Sequence, residues 1–361
     1  MPDTLTRRAL NRATLDRQLL LSRDPMPPAQ AIEHLGGMQA QAPLAPYAGL
    51  WSRLENFETE ILSTLISERQ VVRAHLQRNT VHLVTARDYL DFRPLFAGLS
   101  RRAVRTTFTG GLAGADPEEV VTKAHAVLTA GPLTRGELGR QLAQTWPAAD
   151  PAALAYVGGS SLATIQVPPR GIWGKKGQAR FALAEDWLGR PIPGTPDPAA
   201  AERLVLRGIA AFGPMTVADL RQWSGLSRLR EVSERLGAQL RVFRGEDGAE
   251  LFDLPDAPRP DPGIPAPPRF LPEYDNLLLS HADRSRVIPH GRPVPLPPGN
   301  GSARGTVLID GEWNGTWGAS GDVMNIESFI ALTAGVADAI AAEGARLLSF
   351  LGATRPEVRF S

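Results

Sequence analysis

The sequence predicts an α+β fold, mainly α, built from tandem three-helix units that each close with a β-hairpin. Three observations predict it. Gly131-Pro132-Leu133-Thr134-Arg135-Gly136-Glu137-Leu138 recurs, 82 residues on, as Gly213-Pro214-Met215-Thr216-Val217-Ala218-Asp219-Leu220. Each copy follows an Asp-Pro pair, Asp116-Pro117 and Asp197-Pro198, at nearly the same distance. Asp before Pro is an N-cap followed by the proline tolerated at the first helical position. After each copy, helical and then hairpin patterning returns. Three helices ending in a hairpin make a winged helix, a helix-turn-helix variant.

The elements follow in order. Residues 1–110 read as a divergent winged-helix unit. A helix over 8–21 precedes Asp24-Pro25-Met26-Pro27-Pro28, helices over 28–36, 45–55 and 57–68 follow, and extended segments lie at 71–76 and 81–84. Residues 111–195 form the second unit, where Val120, Val121, Ala124, Val127 and Leu128 make one apolar helical stripe. Thr134 and Glu137 form a capping box that starts the next helix. Residues 196–254 form the third unit. Thr216 caps a helix with Asp219 at its third position, Ser224-Gly225 turns the chain, and a helix spans 227–236. Strands over 240–243 and 250–254 then flank Gly245-Glu246-Asp247-Gly248. The last region, 255–361, opens on a linker with seven prolines between 255 and 268. Strand signals follow at 270–271, 287–288 and 306–309. Pro298-Gly299-Asn300-Gly301 reads as a hairpin tip, and a long helix spans 326–351.

Composition bounds the function. The 361 residues fit two or three domains of about 150 residues each. With no cysteine, disulfides, thiolate metal sites, iron–sulfur clusters and cysteine nucleophiles are excluded. No apolar run approaches the roughly 18 residues of a membrane span. Met1-Pro2-Asp3-Thr4 is polar from the start, so the expected location is cytoplasmic. His34, His75, His82, His125, His281 and His290 show no metal-ligand spacing, and neither a Gly-x-Ser-x-Gly elbow nor a phosphate-binding loop is present. No metal or organic cofactor is expected.

The net charge is only +1, which argues against a bulk nucleic-acid coat. The basic residues are nonetheless uneven: 36 are Arg, and Lys123, Lys175 and Lys176 are the only lysines. Residues 61–110 hold eight Arg against three acids, including Arg101, Arg102 and Arg105. Such a patch is either a solvated helix face or a local surface for nucleic acid. The wing at 167–181 carries Arg170, Trp173, Lys175 and Lys176 on a Gly-flanked tip. That composition suits phosphate contact with stacking or wedging. It also suits a Trp packed on its own domain beside soluble lysines.

One short segment could carry chemistry: Gly36-Gly37-Met38-Gln39-Ala40-Gln41-Ala42-Pro43. Pro43 biases Ala42 towards an extended backbone. If the preceding residues are extended too, Gln39 and Gln41 point to one side and two amides converge. On a helix the same pair would diverge. Spacing alone also allows a pair of solvated glutamines.

Met38-Gln39-Ala40-Gln41-Ala42-Pro43 resembles the Gln-x-Gln signature of the winged-helix DNA glycosylases, the AlkZ and YcaQ (AlkX) proteins. The likeness continues in Arg73-Ala74-His75-Leu76-Gln77-Arg78-Asn79-Thr80-Val81-His82-Leu83-Val84, in Arg170-Gly171-Ile172-Trp173-Gly174, and in Leu271-Pro272-Glu273-Tyr274-Asp275-Asn276 with His281-Ala282-Asp283-Arg284 after it. It covers nearly the whole chain, in the family's order. The resemblance implies three tandem units forming a concave DNA channel. It also implies excision of N-alkylated purines, including bulky adducts and interstrand crosslinks made by a natural product, in base excision repair or antibiotic self-resistance. The family's catalytic pair maps onto Gln39 and Gln41. The YcaQ branch typically has Asp at the second position, so Gln41 places the chain nearer the AlkZ branch, without a carboxylate base there.

An amide pair suffices for one substrate class. An N7- or N3-alkylated purine is already cationic, so it leaves without protonation. The remaining work is to place water and stabilise an oxocarbenium-like sugar, which a glutamine carbonyl does as acceptor and dipole. No lysine lies near the pair in sequence, so a monofunctional glycosylase is expected rather than a Schiff-base lyase. The expected partner is double-stranded DNA containing alkylated purines, bound by a monomer with no membrane role. Arg170, Trp173, Lys175, Lys176, Arg101, Arg102 and Arg105 are the expected DNA contacts, with a tip at 299–304, including Arg304, to probe the lesion. A crosslinked base cannot turn out of the duplex freely, so an open cleft is expected around Gln39 rather than a closed, base-sized pocket. The alternative is a non-catalytic winged-helix regulator or drug-sequestering resistance protein, since fold does not decide function.

Overall fold

The computed structural model describes residues 3–361 apart from 108, 290, 295 and 297–302, and the side chains of 103, 105–107 and 109 also lie outside the description. The chain divides into two compact units, one of residues 1–58 with 205–361 and one of residues 59–204. Both mix helix and strand.

In the first unit, Thr6 caps helix Arg7–Arg17 by accepting from the Ala9 amide at 3.1 Å. The helix stops short of the expected 21 because Leu19 turns left-handed at φ 57°. Helices Pro28–His34 and Ala45–Trp51 follow, both shorter than expected. After Val205 the second repeat continues as read. Thr216 and Asp219 form a reciprocal capping box for helix Val217–Ser224, Gly225 ends it left-handed, and helix Leu229–Leu236 leads into the antiparallel pair Arg241–Gly245 and Glu250–Asp253. Thr4–Leu5 adds to this pair in parallel.

A second sheet in that unit runs in the order Arg269–Leu271, Gly305–Ile309, Glu312–Ser320, Val323–Ser328, Glu357–Phe360. Alternation along its strands sorts the core, with a bulge opposite Val307–Leu308 shifting the phase between Trp313 and Trp317. Phe270, Val307, Trp317, Met324 and Ile326 pack with Ile340, Leu347 and Leu348 of helix Ala334–Phe350. Leu271, Leu308 and Trp313 pack with Leu15, Leu20, Leu277 and Leu278.

This sheet corrects two expectations. The final helix begins at Ala334, not 326. Residues 323–328 alternate buried Met324 and Ile326 with exposed Asn325 and Glu327, a period of two that selects strand. Residues 287–288 are a buried turn rather than a strand, and the Val287 carbonyl accepts from the Trp313 amide at 2.8 Å. The expected tip Pro298-Gly299-Asn300-Gly301 lies outside the described residues.

In the second unit, helix Thr59–Ser67 leads to the hairpin Val71–His75 and Val81–Thr85 and then to helix Ala86–Thr107. The first repeat follows. Asp116 accepts from the Glu118 and Glu119 amides to cap helix Pro117–Thr129. Thr134 and Glu137 close a capping box on helix Arg135–Ala143, and Asp150 caps helix Pro151–Ser161. Strands Thr164–Val167 and Arg180–Leu183 pair antiparallel, and Leu133–Thr134 adds to Arg180–Leu183. Val120, Ala124, Leu128, Leu138, Leu142, Leu154 and Val157 form the core between the helices.

Candidate active site

The segment that carries Gln39 is delivered by a helix stop. Helix Pro28–His34 ends in a Schellman motif: the Gly37 amide donates to the Ile32 carbonyl at 2.9 Å and the Gly36 amide to Glu33 at 3.0 Å. Gly36 and Gly37 take φ values of 67° and 89°, which favour glycine. A Cβ on Gly36 would also meet the Trp223 ring at 3.0 Å. The chain then extends for two residues, Met38–Gln39. It bends at Gln41 and enters helix Ala45–Trp51 with Pro46 in the first turn.

The extended backbone therefore ends before Gln41, and the two amides meet different surroundings. Gln39 is 8% exposed, whereas Gln41 is exposed on the bend. Gln39 lines a cleft of about 290 Å³, open mouth included, with Gln18, Arg53, Asp275, Asn276 and the apolar faces of Met38, Pro46 and Pro272. Its interior has room for about one water and not for a purine.

The polar wall of the cleft is built from residues far apart in sequence. Arg53 bridges Asp275 through two hydrogen bonds of 2.9 Å. It also donates to the Gly49 carbonyl at 3.0 Å and the Gln18 carbonyl at 3.1 Å. Asp275 accepts from the Leu277 amide at 3.0 Å, which caps the short turn Asn276–Leu278. Asn276 donates from Nδ2 to the Gly37 carbonyl at 3.2 Å. Beside this turn Tyr274 is left-handed at φ 62°, and burial pushes the Glu273 carboxyl above its ordinary range. Arg53, Asp275 and Asn276 carry no local sequence signal for this site, since their partners lie far away along the chain. Among the described residues, no group of three or more His, Asp or Glu side chains is placed to hold a metal.

The expected DNA contacts fall in different settings. Arg101 and Arg102 are exposed on helix Ala86–Thr107, and the Arg105 side chain lies outside the description. The expected wing is mostly loop, because the paired strands end at Val167 and begin again at Arg180. Within it Ile172 is buried, the Trp173 amide donates to Ser63 Oγ at 3.2 Å, and Arg170 donates to the Gly177 carbonyl at 3.1 Å. Lys175 and Lys176 are exposed at the tip, and Trp173 is half-buried. Arg304 is exposed but bonded to Glu327 at 2.8 Å. Two of the quoted motifs meet in this unit: the Gly171 Cα lies so close to Arg73 that a Cβ there would stand 2.7 Å from its Cδ.

The glycine turn thus leaves one glutamine, Gln39, buried at the edge of a polar cleft. The chain belongs to the AlkZ-like DNA glycosylase family, whose model matches residues 32–350. Its fold is similar to that of the Streptomyces sahachiroi DNA glycosylase AlkZ, with a TM-score of 0.76 at 19% identity over 99% of this chain and 100% of that one. No curated protein matches. No helix among the described residues is long and apolar enough to cross a membrane.

Proposed function

We propose that this protein is a monofunctional DNA glycosylase that hydrolyses the N-glycosidic bond of cationic N7- or N3-alkylated purines and leaves an abasic site. Bulky natural-product adducts and interstrand crosslinks fall within the proposed range. The observation that carries the reading is Gln39, buried at the edge of a polar cleft with room for about one water. Gln39 and Gln41 position and polarise the attacking water, Gln39 from the cleft, where its carbonyl accepts the water's hydrogen bond while its dipole faces the sugar, and Gln41 from the exposed bend two residues on. The C1′–N bond breaks with its electron pair going to the purine, which neutralises the leaving group. The water oxygen bonds to C1′ and its proton passes to solvent.

DNA is held as a duplex by a monomer through its tandem winged-helix units, one over 111–195 and one over 196–254 after a divergent unit over 1–110, with 255–361 as the C-terminal region. The succession of three helices and a closing strand pair in both repeats supports this. Arg101, Arg102, Arg105, Arg170, Lys175 and Lys176 meet phosphates, Trp173 stacks, and Arg304 sits near the probing tip. The protein works in the cytoplasm.

Single-turnover incubation with a duplex carrying one N7-methylguanine, followed by alkali, tests the reading. Wild type should nick the strand, and Gln39→Ala and Gln41→Ala should slow nicking by about 10²-fold or more. No cleavage of that duplex or of a crosslinked one, with binding retained, would make the protein a non-catalytic binder.

A further inference from the structure

The segment Leu271-Pro272-Glu273-Tyr274-Asp275-Asn276 reaches the Gln39 cleft through Pro272, Asp275 and Asn276. Its end meets the start of the glutamine segment. Asn276 is 6% exposed, lines the same cleft as Gln39, and donates to the carbonyl of Gly37, two residues before Gln39. Gly37 is the second left-handed residue of the turn, and its carbonyl is the last backbone group before the extended pair Met38–Gln39. Asn276 is itself fixed from behind. Asp275 caps its turn, Arg53 holds Asp275, and the Gln18 and Gly49 carbonyls hold Arg53.

We infer that Asn276 is a positioning residue, whose amide sets the path of Gly37 and thereby the placement of Gln39 against the reacting sugar and water. The chemistry fits the type. The carboxamide NH2 donates to a carbonyl, whereas an Asp of the same shape presents only acceptors and would repel it. A displacement of about 1 Å at a group that orients water costs about 10²-fold in rate. This inference rests on the glycosylase reading, and its test separates the two.

The test uses the full chain with Asn276→Ala, Asn276→Asp, Gln39→Ala and the Gln39→Ala/Asn276→Ala double variant. Single-turnover excision of N7-methylguanine should fall about 10- to 100-fold in both Asn276 variants, with affinity for the duplex within about twofold of wild type. The double variant should be no slower than Gln39→Ala alone, because Asn276 acts through Gln39. Amide hydrogen exchange of a peptide covering 36–41 should speed up in Asn276→Ala, while a peptide over 217–224 stays unchanged. Wild-type excision by Asn276→Ala, additive losses in the double variant, or unchanged exchange at 36–41 would each overturn the inference. If wild type itself leaves the lesion intact, the glycosylase reading fails, and the exchange experiment still decides whether Asn276 sets the Gln39 turn.

Discussion

The carboxylate of Asp275 grips the guanidinium of Arg53 at both ends, 2.9 Å on each side, with the two side chains 4% and 2% exposed. The pair ties the turn at 275–278 to helix Ala45–Trp51 and forms one wall of the Gln39 cleft. A buried pair broken on one side leaves an uncompensated charge. Arg53→Met should therefore destabilise the protein by about 3–5 kcal/mol, read by urea unfolding. Arg53→Met with Asp275→Leu should cost less than the two single changes summed, since both charges then disappear. Additive losses would mean that the pair acts only through separate packing.

Much of the helical framework was legible because its signals are local. The capping boxes at Thr134–Glu137 and Thr216–Asp219 need only four residues each, and both formed. Helix Ala86–Thr107 was not anticipated, since Pro94 lies inside it and interrupts the helical pattern. Strand Glu312–Ser320 carries two glycines and polar residues, so its burial comes from partners rather than from its own alternation. The Gln39 turn was readable as two glycines and an extended pair. The exposure of Gln41 was not, because it depends on where the chain bends. Asn276 was the least legible residue of the cleft: its bond to Gly37 spans 239 positions, and no local pattern encodes such a contact.

The charged tip at 174–178 gives a second prediction. Lys175 and Lys176 are exposed there, whereas Arg304 is bonded to Glu327 at 2.8 Å. If both lysines meet phosphates, Lys175→Ala/Lys176→Ala should flatten the slope of log K against log salt by about two. Arg304→Ala should change it by less than about half a unit. Binding titrations on one undamaged duplex between low and moderate salt measure both, and an unchanged slope in the lysine variant would move the phosphate contacts elsewhere.

His281 makes stability depend on pH. It is 1% exposed, packs edge-on to Phe212 at 5.7 Å, and its Nε2 has no hydrogen-bond partner among the described residues. Burial, helped by the charge of Arg286, pushes it down to about 3. The unfolded chain takes up a proton near pH 6.5 and the folded chain does not. Its contribution is thus complete above pH 6.5 and is lost as the pH falls from there towards 3. At pH 5 this one group should cost about 2 kcal/mol relative to pH 7. His75, pushed down to about 4 by burial beside Arg135 and Arg93, acts in the same direction. Thermal unfolding of wild type and His281→Gln at pH 7 and pH 5 should show a smaller drop for the variant, and equal drops would remove His281 as the cause.

For a glycosylase that works through Gln39 and Gln41, as proposed, the chemistry of the cleft limits the substrates. Neither Gln39 nor Gln41 removes a proton at neutral pH, and the Asp275 carboxylate beside Gln39 is already bonded to Arg53 through both oxygens. No group placed in this way supplies an acid to a neutral leaving base. A cationic N7-methylguanine needs none, because the positive purine draws the bond electrons itself. A neutral adduct such as 1,N6-ethenoadenine would have to leave as an anion or be protonated first. Lacking general acid catalysis, which contributes about 10²–10⁴-fold, the protein should excise ethenoadenine at least about 10²-fold more slowly than N7-methylguanine in the same duplex. Undamaged guanine should remain intact over the same interval. Matched single-turnover time courses on the three duplexes measure this, and comparable rates on ethenoadenine would require an acid that the Gln39 cleft does not contain.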